Sequence, residues 1–396
     1  MTSREPGAPV GDGFIPLSVP YFAGNEWEYV KKCLDTNWVS SAGPFVERFE
    51  REMAKAVGSK YAVATVNGTA ALHVALLLAG VKPGDEVAVS DLTFIAPANA
   101  IRYVGAHPVF IDAEPEYWQM DVQKLKDFLG KGCELSVKGL RNKTTGRMVR
   151  AILPVHILGS VCDMNPILEM AEQFSITVIE DATECLGARY RERSAGSIGR
   201  IGCFSFNGNK ILTTGGGGMI VTDDEHIASR ARYLTTQAKD DSVEFIHGAV
   251  GYNYRLPNIL AALGCAQLEK LQEFTARKRE IATAYTADFA AIPGIFPMRE
   301  PPGTFSTFWL YTIRMESARG KLDSRDLMRI LETKGIQTRP LWQPMHLSPA
   351  QLGEFSTNCL VSESLNLECL SLPCSVGLSE QARNLVVSSI KEVLCV

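Results

Sequence analysis

Short apolar runs alternating with amphipathic stretches across the first half of the chain constrain its fold more than any other feature. Residues 61–66, 86–90, 108–112, 151–156 and 177–181 read as strands: each is brief, apolar and set off by turn-forming residues. Between them, residues 70–79, 96–104 and 166–174 have helical character, the second opened by Asp91-Leu92-Thr93-Phe94. Parallel strands cannot be joined by tight hairpins and need crossover segments. Strand, helix and strand in repetition therefore predict an α/β chain with a mostly parallel sheet and helices on its faces. Two helices precede it, at 25–35 and 45–57, the second with Phe45, Phe49, Met53 and Val57 on one face. The expected division is a loose tail over 1–13, a large domain over 14–260 and a smaller α+β domain over 261–396. An almost unbroken helical pattern over 258–292 suits a long helix joining the two, with Gly264 at a close contact. In the small domain, 309–314 reads as a strand, 324–334 as a helix, 337–339 as extended and 379–394 as an amphipathic helix.

Several function classes are excluded early. A formal charge of −4 provides no general attraction to nucleic acid or to an anionic membrane. The ten cysteines include no CxxC pair and several lie in apolar runs, so they read as reduced, buried thiols. With no signal-like apolar segment at the start and no run of membrane-spanning length, the sequence predicts a soluble cytoplasmic protein. Asp163, His226, Glu244 and His247 lack metal-ligand spacing and HExxH is absent, which predicts no catalytic metal. GxSxG, GxxxxGK[ST] and GxGxxG are missing too.

What remains centres on Ile201 to Val221, IGCFSFNGNKILTTGGGGMIV. Lys210 lies between an Asn-Gly-Asn turn and four glycines, and such a run implies unusual backbone angles or close approach by another group. A desolvated lysine can lose its proton and form a Schiff base, although most lysines are simply exposed. Asn67-Gly68-Thr69 marks a strand-to-helix turn, which is either an ordinary N-cap or a phosphate site. Glu180-Asp181 ends an apolar strand, where α/β sheets gather their ligands, but a strand-end aspartate can equally cap a helix. His156 has the same ambiguity, weighted toward the core. Gly251-Tyr252-Asn253-Tyr254-Arg255 places an amide and a guanidinium suited to phosphate just before the helical stretch.

Taken together, these pieces resemble the DegT/StrS-type nucleotide-sugar aminotransferases, pyridoxal-phosphate enzymes of the aspartate-aminotransferase fold. The motifs WVSSAGPFVERFE, NGTAALHVAL, DLTFIAPANAI, PVFID, PVHILG, VIEDATECLGA, GCFSFNGNKILTTGGGGMIVTDD, GYNYRLPN and RPLWQPMH follow the family's order over nearly the whole chain. FNGNK, IPLSVPYF and LPCS look most like the LegC-type branch, which acts on UDP-linked 4-keto-6-deoxy-N-acetylhexosamines. The resemblance implies that Lys210 carries the cofactor and shuttles a proton, with L-glutamate as amino donor. It implies that Asp181 pairs with the pyridine nitrogen, that Phe94 stacks on the ring, and that Gly68, Thr69 and Ser205 hold the phosphate. Asn253 is expected to reach a neighbouring subunit's site in a homodimer, and Arg255, His346 and Trp38 to meet the nucleotide-sugar. Glu184 stands where the family often has His or Gln against the ring oxygen, and a second carboxylate there would repel a phenolate unless protonated or paired. A GDP- or dTDP-linked keto-sugar is the alternative substrate. A dehydratase of the same fold would carry histidine in place of Lys210, and a non-catalytic regulator would not need the intact Lys210–Asp181 pair.

Overall fold

Seven main strands form the central sheet: β1 (Tyr61–Thr65), β2 (Glu86–Ser90), β3 (His107–Ile111), β4 (Val149–Leu153), β5 (Thr177–Asp181), β6 (Ile201–Ser205) and β7 (Gly218–Thr222). The computed structural model describes residues 13–241, 243–316 and 322–394, so the expected tail lies outside the described residues up to residue 12. The order across the sheet is β1-β7-β6-β5-β4-β2-β3, with the short strand Phe355–Ser356 as the eighth at the β3 edge. β7 runs antiparallel to both its neighbours, and every other pairing is parallel. Because helices cover both faces, interior strands are apolar on both sides, and β2 is buried at all five positions.

The reversal of β7 matters for the site. Its first residue, Gly218, pairs with Ser205 at the end of β6 and with Thr65 at the end of β1. The glycine run therefore enters the sheet at the edge where the parallel strands finish. A Cβ on Gly218 would lie 2.4 Å from the Asn67 backbone, so this position excludes any side chain.

Four helices precede or interleave the first strands: α1 (Glu26–Asp35), α2 (Pro44–Val57), α3 (Gly68–Leu78) and α4 (Ala96–Tyr103). α3 is apolar on every side and buried from Ala70 to Leu76, as a helix packed within the layers must be. The N-terminus of α2 has no side-chain cap from its own N-cap residue, Gly43. The buried Asn258, far along the chain, accepts from the Phe45 and Val46 N–H groups at 2.9 and 3.3 Å and donates to the Trp38 carbonyl at 2.7 Å.

The stretch expected to be one long helix is two, Asn258–Leu268 and Leu271–Phe289, broken at Glu269-Lys270. The break has a packing cause. Asn258–Leu268 lies against α1 and α2, with Gly264 facing the Phe49 ring, while Leu271–Phe289 packs against Ile295–Pro297 and Glu380–Leu394. Glu269 turns out to Tyr29, Asn25 and Arg48 at the junction. A second, antiparallel sheet has the order Ile295–Pro297, Tyr311–Met315, Cys369–Leu372, Arg339–Pro340. Its second strand starts at Tyr311 rather than Trp309, because Phe308, at φ 47°, turns the chain just before it. Among the described residues no helix is long and apolar enough to cross a membrane, and nine cysteines are free and buried.

Candidate active site

The carboxyl edge of the central sheet and the second sheet enclose a cavity of about 560 Å³. Gly68 and Thr69 reach it from the turn after β1, Phe94 from beyond β2, Asp181 and Glu184 from the end of β5, and Ser205 from the end of β6. Lys210 and Gly216 line it from the glycine-rich segment, and Trp309, Arg339 and Trp342 from the opposite side.

The start of α3 is built to take an anion. Asn67 caps it, its Oδ1 accepting from the Ala70 N–H at 2.8 Å. The first-turn N–H groups of Gly68 and Thr69 have no acceptor within the helix, and they sit at its positive end. Gly68 lies so close to β6 that a Cβ would stand 2.8 Å from Ser205 Cβ and 3.3 Å from its Oγ. Glycine thus lets the helix start approach the serine hydroxyl, making a cradle of backbone N–H and O–H donors.

The two carboxylates at the end of β5 part ways. Glu180 points away from the cavity, accepting from the N–H groups of Gly196, Ile198 and Gly199 and from His156 Nε2 at 2.9 Å. His156 is wholly buried, so it belongs to the core. Asp181 faces the cavity at 1% exposure. Its Oδ1 accepts from the Thr183 N–H, and burial raises its pKa against the opposing pull of Thr183 and Lys210. A buried carboxylate in this state favours a cation brought to it.

Lys210 Nζ lies 3.4 Å from Glu184 Oε1 and 4.0 Å from the centre of the Trp309 ring, with its side chain 13% exposed. Glu184 Oε2 accepts from the Leu158 N–H at 3.0 Å, and burial raises the pKa of this carboxyl too. Phe94 leaves 57% of its surface uncovered, an apolar face offered to a flat ring.

Four expected residues are not on the cavity wall of this chain. Trp38 is 51% exposed, with its carbonyl tied to Asn258. Arg255 makes an ion pair with Glu50, which also binds Arg232. Asn253 is exposed, its backbone bridged to Thr236. His346 donates from its backbone N–H and Nδ1 to the two oxygens of the buried Asp91, both at 2.9 Å, and its Nε2 lies 3.3 Å from Glu363. The hydrogen bond to Asp91 raises the pKa of His346 above its ordinary value. Cys359 joins Asp91 and His346 within 4.8 Å, but its thiol lies 3.2 Å from the Thr357 carbonyl and the other two are hydrogen-bonded to each other.

Sequence reasoning missed Trp309 and Arg339. Trp309 Nε1 donates to the Asn209 carbonyl at 2.7 Å, tying the residue before Lys210 to the chain leading into the second sheet. No pattern in the sequence pointed to that contact. Arg339 could have been found, since it opens the RPLWQPMH stretch in which His346 was singled out.

A largely buried lysine beside two buried carboxylates, across from an anion-taking helix start, defines a class. It is that of the pyridoxal-phosphate-dependent transferases, because phosphate, ring nitrogen and aldehyde each find a matching group on this wall. The chain belongs to the DegT/DnrJ/EryC1/StrS aminotransferase family, whose pattern matches residues 20–391, and it is a pyridoxal-phosphate-dependent aminotransferase. It is 39% identical over 384 residues to a GDP-perosamine synthase of Caulobacter vibrioides, covering 96% of this chain and 98% of that one. It is 38% identical over 379 residues to a GDP-perosamine synthase of Escherichia coli O157:H7, covering 96% and 98% of the two chains. Identity is also 38%, over 377 residues and 94% of each chain, with EpsN of Bacillus subtilis, described as a putative pyridoxal phosphate-dependent aminotransferase. Among solved structures, the aminotransferase TlmJ of Streptoalloteichus hindustanus superposes with a TM-score of 0.87 at 28% identity, covering 96% of this chain and 99% of that one.

Proposed function

We propose that this aminotransferase moves an amino group from L-glutamate to C4 of a GDP-linked 4-keto-6-deoxyhexose, in the manner of a GDP-perosamine synthase. The observation that carries the sugar assignment is near full-length identity of 39% and 38% to two such synthases, joined to a cavity holding Lys210, Asp181 and the Gly68–Thr69 cradle. The UDP-sugar reading drawn from FNGNK and its neighbouring motifs has less support, because those relatives are named for a GDP sugar.

Pyridoxal phosphate supplies an electron sink that lets an amino group leave one substrate and join another. The chain's own groups do the rest. Gly68, Thr69 and Ser205 hold the phosphate by N–H and O–H donors. Asp181 keeps a proton on the ring nitrogen, since a buried carboxylate stabilises the adjacent cation. Phe94 would cover one ring face. Lys210 would hold the cofactor through its amine and, when freed, would move a proton between the substrate's nitrogen-bearing carbon and the cofactor's aldehyde carbon. Arg339 lines the same cavity and suits an anionic group of either substrate.

The reading extends to a homodimer acting in the cytoplasm. Trp27 and Val250, at 82% and 83% exposure, together with Phe245 and Ile246, leave apolar surface that association would cover. Asn253 would complete the partner's site, with Trp38, Arg255 and His346 near the nucleotide-sugar. Free, buried cysteines suit a reducing compartment.

The test is a product assay with glutamate against GDP-, UDP- and dTDP-linked 4-keto-6-deoxy sugars. Amination of the GDP sugar is expected, and turnover confined to a UDP or dTDP sugar overturns the assignment. Borohydride reduction of the loaded protein should fix pyridoxal phosphate on Lys210, and an adduct elsewhere refutes its role.

A further inference from the structure

We infer that Glu184 is a positioning residue and the proton partner of Lys210, holding its ammonium and then accepting one proton from Nζ to leave the neutral amine. The inference rests on the proposed function in taking Lys210 as the reactive amine.

Four observations carry it. Among the described residues, Glu184 is the one carboxylate within ion-pair distance of Nζ, with Oε1 at 3.4 Å. Its other oxygen is fixed, because Oε2 accepts from the Leu158 N–H at 3.0 Å. That N–H is aimed by two consecutive left-handed residues, Leu158 at φ 59° and Gly159 at φ 89°. A leucine avoids this region unless its surroundings impose it, so the backbone is bent at a cost to present the donor. Finally, the Trp309 ring lies 4.0 Å from Nζ and restricts where the amine can go.

The site is dry enough for the proton to move. The Lys210 and Glu184 side chains are 13% and 5% exposed. Burial of both groups makes a charge-separated pair costly. Among the described residues, the titratable groups that face the pair are Asp181, whose carboxylate disfavours a second negative charge on Glu184, and the Cys185 thiol, which burial holds well above its ordinary value. Burial pushes the Glu184 carboxyl up, while Lys210 and the Leu158 N–H pull it down. In the step itself a proton leaves Nζ for Oε1, ammonium and carboxylate become amine and carboxylic acid, and no other bond changes. It reverses when the amine is released. Glutamine at this position could hold the amine but could not take its proton.

The experiment compares the wild-type full-length chain with Glu184→Gln. Before cofactor is added, each is acetylated with trace acetic anhydride at pH 8, and Lys210 labelling is read by peptide mass spectrometry against the 80% exposed Lys131. Glutamine cannot take the proton from Nζ, so Lys210 in Glu184→Gln should label at a small fraction of the wild-type rate. Glu184→Asp should fall between the two. In the loaded enzyme, the acid limb of the kcat pH profile should be lost in Glu184→Gln with KM little changed. Equal or faster labelling in a variant of unchanged melting temperature overturns the inference, as does an unchanged pH profile.

Should Glu184→Gln not fold, Lys210→Met decides. Without its cation, burial and Asp181 should raise the Glu184 carboxyl further, so its infrared carboxylic-acid band should persist to higher pH than in wild type, and an unshifted band refutes the pairing. Borohydride trapping on wild-type Lys210 separates the two levels. If trapping succeeds and labelling is unchanged, Glu184 alone loses its role, whereas failed trapping removes the function reading.

Discussion

Gly68→Ala is the sharpest test of the phosphate cradle. The new Cβ would stand 2.8 Å from Ser205 Cβ, 3.2 Å from Thr183 Cγ2 and 3.3 Å from Ser205 Oγ. Carbon pairs are most favourable at about 3.5–4.0 Å, so the first of these contacts is short by roughly an ångström. None of the three atoms ends a long side chain that can swing aside, because Ser205 is the last residue of β6 and Thr183 lies in the turn after Asp181. The start of α3 must therefore move away from the serine. Overpacking of this kind costs about 1–3 kcal/mol of stability. The displacement also draws the Gly68 and Thr69 N–H groups out of line with a phosphate, and a hydrogen bond to a charged group is worth about 1.5–3 kcal/mol. Losing one such bond weakens cofactor binding about ten- to a hundred-fold. The assay is equilibrium titration of cofactor-free protein with pyridoxal phosphate, followed by absorbance, alongside thermal melting. Unchanged affinity in a folded variant would refute the cradle; a lower melting temperature alone would show that Gly68 serves packing and not the phosphate.

Other expectations follow from the same structure. Gly264→Ala places a Cβ 2.7–2.9 Å from the ring of the fully buried Phe49, so it should cost about 1–3 kcal/mol in urea unfolding and leave cofactor affinity unchanged. At Gly216 a Cβ would meet nothing among the described residues within 4 Å, although the residue lines the cavity. Gly216→Val should accordingly fold with a normal melting temperature yet lose cofactor affinity or self-association, as read by titration and light scattering; a variant intact in both would show that this glycine is dispensable. His346 has a raised pKa in the fold through Asp91, so its ion pair stabilises fully below its ordinary value of 6.5 and is lost as pH rises through the folded value. The melting-temperature gap between wild type and His346→Gln should thus be widest below pH 6.5 and narrow above it, and a gap that widens with pH would overturn that assignment.

How much was legible beforehand depended on the range of the interaction involved. The strands and their parallel arrangement could be read because each is a local run whose burial on both faces leaves a continuous apolar signal. The lysine, the strand-end aspartate and the Asn67–Thr69 turn stood out because turn chemistry and chain position are local as well. The break at Glu269-Lys270 could not be read, since both flanking segments are helical in pattern and the change of direction comes from what each packs against. Nor could the Asn258 amide be seen as the cap of α2, more than two hundred residues away in sequence.

The stretch Ile201–Val221 shows the division best. By itself it established a strand, a turn, a lysine and four glycines, together with the order of motifs that marks the family. The tertiary structure decided what each glycine is for: Gly218 admits the Asn67 backbone, Gly217 admits the Thr214 hydroxyl, Gly215 takes φ 80°, and Gly216 faces the cavity. It also decided that Lys210 is held between Glu184 and Trp309, groups 26 and 99 residues away in sequence, where the sequence predicted only a clash between Glu184 and a phenolate. A side chain's identity and local pattern are written in the chain, but the charge and dryness around it belong to whatever the fold brings alongside.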